Sequence, residues 1–323
     1  MGIEDNFYGN FMQTINALVP EKRVLTNSLS KILSLEKESV YRRLRGEVSF
    51  SLNEIIKISR HYGLSIDALV GISQPYRGGD SYHLYFQDFN NLSDVDYKNA
   101  EDYIKALDTA SHDEKAEFGY ASSTMPLHIL AMYPNLYRFY MMKWKYYYNS
   151  QYEKELKYCH VVRPERLTEQ HARFTTTIQN IPTIFILDER LLPDLIRDIK
   201  YFHTIRMITD EEVRDLKNDL LQLLQVAERV AEKAAYPNGI KVEMYASGLS
   251  MDTSYAYLYG NNIFVSMINA YTLEQITSTN RNSCDFMREW MRKMKRTSMS
   301  LSTSEFNRIK YFDSHNKLLD AEL

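Results

Sequence analysis

The stretch from Thr26 to Gly71 constrains the fold most, because its helix signals lie so close together that short helices joined by tight turns are predicted. Gly46 and Gly63 are typical of helix ends. Residues 51–54, Ser-Leu-Asn-Glu, have the spacing of a capping box, and Thr26 is a suitable N-cap. Four short helices are therefore predicted here.

The second of these helices, predicted over Glu36 to Arg45, has one apolar and one polar side. Val40 and Leu44 are four residues apart, so they share the buried face. The remaining surface carries basic and hydrogen-bonding side chains. Residues 21–62 contain nine Lys and Arg against five Asp and Glu, in a chain of net charge −3. A local basic surface of this kind is what docking to phosphate requires.

An amphipathic helix is predicted before this stretch, ending near Pro20. Its apolar side chains recur every three or four residues, at Phe7, Phe11, Ile15 and Leu18. The helix after the capping box is expected to bury Leu52, Ile55, Ile56 and Ile58. Residues 1–72 are therefore predicted to form one five-helix domain.

Four pieces of this region occur in a familiar order and spacing: Leu29-Ser30, Ser34 at a turn, Arg45-Gly46, and residues 63–69, Gly-Leu-Ser-Ile-Asp-Ala-Leu. In them, residues 5–71 resemble the phage-repressor helix-turn-helix family, also described as Cro-like or xenobiotic-response-element. The resemblance implies a domain that places the helix Glu36 to Arg45 in the major groove of double-stranded DNA.

Three positions depart from the family pattern. Ser34 stands where the family usually has Gly, so a non-Gly residue is expected to take positive φ at the turn. Glu36 stands where Ser or Thr would cap the helix better. Arg43 replaces a usual apolar residue, so its core contact is expected to pass to Leu44.

Seven side chains are the candidate DNA contacts. Arg42 and Lys37 are predicted to hydrogen-bond guanine edges. Additional base or phosphate contacts are predicted for Tyr41 and Ser39, and phosphate contacts for Asn27, Arg43 and Arg45. Because one such domain contacts few base pairs, a homodimer on two half-sites is expected. A helical bundle that binds protein is the alternative for this region.

The rest of the chain divides into three predicted segments. Residues 73–80 contain Pro75 and Gly78-Gly79 and form a linker. Residues 81–180 form an aromatic-rich helical connector, and residues 181–323 form an α+β effector or dimerisation domain. The fold class is therefore mainly α, with a small antiparallel sheet and helices in the C-terminal domain.

The α+β prediction depends on short β-branched runs and amphipathic helices. Strands are predicted at residues 181–187, 240–246, 254–259 and 263–268, and helices at 189–202, 210–235, 282–295 and 303–319. The helix at 282–295 is expected to bury Phe286, Trp290 and Met294, and the last helix Phe306, Ile309 and Phe312.

Residues 133–148 alternate aromatic and basic side chains. One interpretation is a stacking platform for single-stranded nucleic acid. The other is a helix whose aromatic face packs in a core or dimer interface. We favour the second, because Tyr133, Tyr137, Tyr140 and Trp144 have helical spacing.

Several classes of protein receive no support from the sequence. No apolar run approaches the roughly 20 residues of a membrane span, and no signal peptide is recognisable. Cys159 and Cys284 are the only cysteines, which agrees with a reducing compartment. The eight histidines lack metal-ligand spacing, and neither a Gly-x-Ser-x-Gly elbow nor a P-loop is present. We expect a cytoplasmic protein without membrane contact, enzymatic activity, metal or other cofactor.

The sequence thus favours a dimeric, repressor-like transcription regulator that binds specific DNA. Its C-terminal domain would dimerise or sense a small-molecule effector. One alternative is an antitoxin-like or phage-related protein that binds a partner, whose N-terminal domain only autoregulates. Another is an enzyme fused to a DNA-binding module.

Overall fold

A computed structural model describes residues 3–19, 21–62, 64, 66, 69, 83–85, 94–148, 156–270 and 274–323. The chain divides into two compact units, Met1–Ser81 and Tyr82–Leu323. The first contains α1 (Ile3–Leu18), α2 (Lys22–Leu33), α3 (Lys37–Leu44) and α4 (Leu52–Tyr62). The predicted linker at 73–80, Gly63 and most of the last predicted helix of this unit lie outside the described residues.

The helices of the first unit surround one apolar core. Its fully buried members include Phe11, Ile15, Leu25, Leu29, Val40 and Ile58. The predicted capping box is confirmed, since the Ser51 N–H donates to Glu54 at 2.8 Å and the Glu54 N–H donates to the Ser51 hydroxyl at 3.3 Å.

Two local predictions in this unit are wrong. Thr26 does not cap α2, because the helix begins four residues earlier and the buried Thr26 hydroxyl donates to the Lys22 carbonyl at 2.7 Å. Leu52 is 63% exposed, because it is the first residue of α4 and lies beyond the part of the helix that contacts the core.

The second unit is built on a mixed sheet. Its described strands are β1 (His83–Tyr85), β2 (Glu117–Ser122), β3 (Thr183–Asp188), β4 (Val242–Ser247), β5 (Tyr255–Tyr259), β6 (Phe264–Ala270), β7 (Glu274–Ser278) and β8 (Ser298–Ser300). They lie in the order β1-β7-β6-β5-β2-β3-β4-β8. The central strands β2, β3 and β4 are parallel, and every other pairing is antiparallel.

Helices cover both faces of this sheet. They are α5 (Asp94–Ser111), α6 (Leu127–Leu130), α7 (Pro134–Tyr148), α8 (Glu165–Ile178), α9 (Leu191–Thr204), α10 (Asp210–Lys233), α11 (Arg281–Arg296) and α12 (Glu305–Glu322). Helix α11 packs on one face, and the larger core, with α7, α9, α10 and α12, packs on the other. The predicted fold class, mainly α with an α+β domain, is confirmed.

The structure changes the predicted details of this unit. The segment expected to be a helical connector supplies β2, which lies between β5 and β3 in the sheet. The sheet is therefore mixed rather than antiparallel. Strands β1, β7 and β8 were not predicted, and residues 81–180 and 181–323 share one compact unit from Tyr82 onward.

Two helices bury a different side from the one predicted. Helix α11 turns Cys284, Met287 and Met291 toward the sheet, and Phe286 and Trp290 are 73% and 46% exposed. In α12, Phe312 is buried as predicted. Phe306 and Ile309 of the same helix are exposed instead.

The aromatic segment forms α7 and lies in the core. Tyr137, Phe139 and Trp144 are almost completely buried. Stacking of bases on these rings is therefore excluded, and the packing interpretation is confirmed.

The centre of the sheet contains one close approach. Gly119 of β2 is directly opposite Tyr257 of β5. The Tyr257 ring crosses over Gly119, and its hydroxyl donates to Glu117 at 2.7 Å. A Cβ built on Gly119 would overlap the ring. Gly119 is thus required by this packing rather than by backbone conformation.

We expect Gly119→Ala to lower the free energy of unfolding by about 1–3 kcal/mol, because the buried ring must move. Chemical denaturation of the full chain measures this. Gly248→Ala is the matched control, since a Cβ there meets nothing within 4 Å. Equal stability of the two variants would contradict the proposed overlap.

Candidate nucleic-acid interface

The turn between α2 and α3 determines where α3 begins. Ser34 adopts the left-handed conformation, with φ 54°, as the sequence predicted. The Leu35 N–H donates to the Ser30 carbonyl at 3.1 Å, and the Ser30 hydroxyl donates to the Leu35 carbonyl at 2.6 Å. The turn therefore satisfies its polar groups locally, although it lacks the usual Gly.

Helix α3 has one fully buried side chain, Val40, and Leu44 packs beside it at the edge of the core. The opposite side faces outward. Arg42 is exposed there, Tyr41 is 38% exposed beside it, and Ser39 is half-buried. Lys37 is exposed at the first position of the helix. Gly46, with φ 79°, ends the helix as predicted.

Two arginines of this surface make exposed ion pairs. Arg42 Nε lies 3.4 Å from Glu47, and Arg45 lies 3.0 Å from Glu47 and 3.4 Å from Glu38. Exposed pairs of this kind contribute about 0–1 kcal/mol and are screened by salt. Phosphate oxygens can therefore replace these carboxylates at low cost. Among the described residues, Lys37 has no ion pair.

Arg43 differs from its neighbours because it faces the protein. Its guanidinium lies 3.0 Å from Glu54 on α4 and also donates to the Ser39 carbonyl. Burial raises the pKa of Glu54, but the Ser51 N–H and the Arg43 guanidinium outweigh it and hold the pKa below its usual range. This pair joins α3 to the start of α4, so Arg43 helps to hold α3 in position.

Asn27 and several basic residues lie outside α3. Asn27 is half-buried on α2. The DNA contacts predicted from the sequence did not include five exposed cations: Lys22, Arg23, Lys31, Lys57 and Arg60. The charge excess over residues 21–62 was the signal that could have found them. They extend the positive charge beyond α3.

Other kinds of site receive no support in the described residues. No group of three or more His, Cys, Asp or Glu among them could hold a metal ion. None of the helices described is long and apolar enough to cross a membrane.

The geometry of the first unit, a short α2, a tight turn and an outward-facing basic α3, defines a helix-turn-helix DNA-binding domain. Residues 8–83 match the family model of the BetR domain, a family of helix-turn-helix DNA-binding domains. The match covers less than a quarter of the 323 residues. No curated protein and no solved structure matches the chain.

Arg43→Ala should lower the free energy of opening of the first unit by about 1 kcal/mol, because Glu54 loses its partner. Arg42→Ala, which removes an exposed pair, should cost at most about 0.5 kcal/mol. Amide hydrogen exchange of residues 21–62 in the full chain measures both.

The stability difference between Arg43→Ala and Arg42→Ala should depend on pH. Because the pKa of Glu54 is depressed in the folded state, its stabilisation is complete above the ordinary value of 4.5 and is lost as the pH falls through the folded value. The difference between the two variants should therefore shrink in acid. A difference that is absent at neutral pH would contradict the role of Arg43.

Proposed function

We propose that the protein is a sequence-specific transcription regulator that binds DNA as a homodimer through α3. The observation that supports this most directly is the exposed, basic side of α3 in a domain that matches the BetR family. Such a regulator acts where the DNA is, so a cytoplasmic location belongs to the proposal. We propose neither catalysis nor a cofactor.

The DNA contacts follow from the exposure of each side chain. Lys37 and Arg42 reach base edges in the major groove, because both are exposed on α3. Tyr41 and Ser39 make additional base or phosphate contacts, and Arg45 and Asn27 contact phosphate. Arg43 stays with Glu54 and acts as a positioning residue, which replaces its predicted phosphate contact.

The phage-repressor likeness is part of the same proposal. Ser34 takes the left-handed conformation where the family has a turn Gly, and Gly46 follows the reading helix with φ 79°. Both positions agree with the family pattern, which supports the proposed likeness.

The second unit offers a surface for the second copy. Phe286 and Trp290 are one turn apart on the outer side of α11. When two copies of α11 pair antiparallel about a two-fold axis near position 288, Phe286 of one meets Trp290 of the other. The exposed apolar side chains of this surface can thus pair with those of a second copy.

Arg42→Ala should weaken binding to a site selected from random DNA by about 1–3 kcal/mol and reduce discrimination against other sequences. Arg45→Ala should weaken binding to all sequences alike and reduce the salt slope by about one. Titration at several salt concentrations measures both. Arg173→Ala is the control, since Arg173 pairs with Glu101 in the second unit. An unchanged isotherm for Arg42→Ala would remove it from the reading surface.

The full chain should sediment as a dimer at micromolar concentration. Replacing Phe286 and Trp290 together by Ser should give a monomer, because the apolar contact is lost. The matched control replaces Phe306 and Ile309 of α12, also exposed, and should remain dimeric. A monomeric wild type, or dissociation of the control alone, would contradict pairing through α11.

A further inference from the structure

The second unit contains a partly open cavity of about 380 Å³ between its sheet and the larger helical layer. Strands β3 and β4 supply one wall through Phe185 and Met244, and α10 and α12 supply others through Leu224 and Phe312. Protein interiors rarely leave voids much larger than a water molecule. This volume falls instead in the range of roughly 300–1,000 Å³ typical of ligand sites.

The walls of the cavity carry no charge. None of the side chains that line it is Asp, Glu, Lys or Arg, and most are aliphatic or aromatic. The two lining histidines are neutral at pH 7. Burial, with a smaller contribution from His171, lowers the pKa of His128 to about 3, and burial also lowers the pKa of His315. A charged ligand would therefore lose its hydration without gaining a counter-charge.

His315 places a polar ring in the wall of the cavity. His315 Nδ1 lies 2.7 Å from the Tyr311 carbonyl, which can only accept, so Nδ1 carries the proton. Nε2 of the neutral ring is then an acceptor, and no described residue donates to it. The Thr175 hydroxyl, by contrast, is already bonded to the His128 and His171 carbonyls.

We propose that this cavity binds an uncharged, mainly apolar small molecule, with a hydrogen-bond donor placed at His315. The role of this molecule as an effector rests on the proposed function as a DNA-binding regulator. Because the ligand would contact β3, β4, α10 and α12 together, its binding favours the arrangement in which these elements enclose it.

Two dyes with one ring skeleton test the class of ligand. N-phenyl-1-naphthylamine is uncharged, and 8-anilino-1-naphthalenesulfonate adds one sulfonate. The dyes are titrated into the full chain without DNA. The uncharged dye should bind with a blue shift of its fluorescence emission, and the sulfonate should bind at least about tenfold more weakly. Absence of binding by the uncharged dye, or equal affinity of the two, would overturn the proposal.

Variants locate the site. Ala227 of α10 lines the cavity, and Ala227→Phe should fill it and weaken binding of the uncharged dye by about tenfold or more. Ala321→Phe, at an exposed position of α12 outside the lining, is the matched control and should bind as the wild type does. Unchanged binding to a folded Ala227→Phe would overturn the assignment.

A second variant tests the site even if Ala227→Phe fails to fold. Val226 also lines the cavity but is 43% exposed, so Val226→Trp narrows the site without forcing a buried side chain aside. It should bind the uncharged dye more weakly, and unchanged binding would count against the site. These titrations contain no DNA, so their failure refutes only the cavity. A wild type that binds no DNA refutes only the proposed function.

Discussion

The burial of Val40 is the constraint on which the candidate DNA-binding surface of α3 depends. With this side chain fixed in the core, the 100° rotation per residue of an α-helix leaves Tyr41 and Arg42 outside, and Lys37 is exposed at the first position of the helix. The ion pair between Arg43 and Glu54 adds a second attachment, which joins α3 to α4. A helix held in place, with exposed and weakly paired cations at its surface, suits a duplex, because its backbone needs little ordering on binding.

The two units carry contrasting chemistry. The first carries an excess of positive charge over residues 21–62, whereas the cavity of the second has no charged lining residue. In the proposed regulator the second unit supplies what one helix-turn-helix domain lacks. It provides a second copy through α11 and a signal through the cavity.

Local features of the fold could be predicted from the sequence. The capping box at Ser51 and the left-handed Ser34 depend only on neighbouring residues, and both are confirmed. Strand β2 was missed because its six residues contain Gly119, whose place depends on a ring contributed by Tyr257 far along the chain. Burial of Tyr257 over Gly119 is a tertiary contact that periodicity does not encode.

For the candidate site, too, the sequence predicted local features but not the contacts between distant elements. The outward side of α3 follows from Val40, but the partner of Arg43 depends on how α4 crosses α3. Helix α11 has two apolar stripes with the same spacing, one through Phe286 and Trp290 and one through Met287 and Met291. Only packing against the sheet decides which is buried. The cavity likewise arises from several distant elements.

Chemical footprinting on a DNA fragment selected by the full chain tests the central claim most directly. Dimethyl sulfate methylates guanine N7 in the major groove and adenine N3 in the minor groove. The account predicts that bound protein protects guanine N7 atoms in two half-sites about one helical turn apart, and that Lys37→Ala with Arg42→Ala removes this protection. Protection confined to adenine N3, or guanine protection that survives both substitutions, would contradict it.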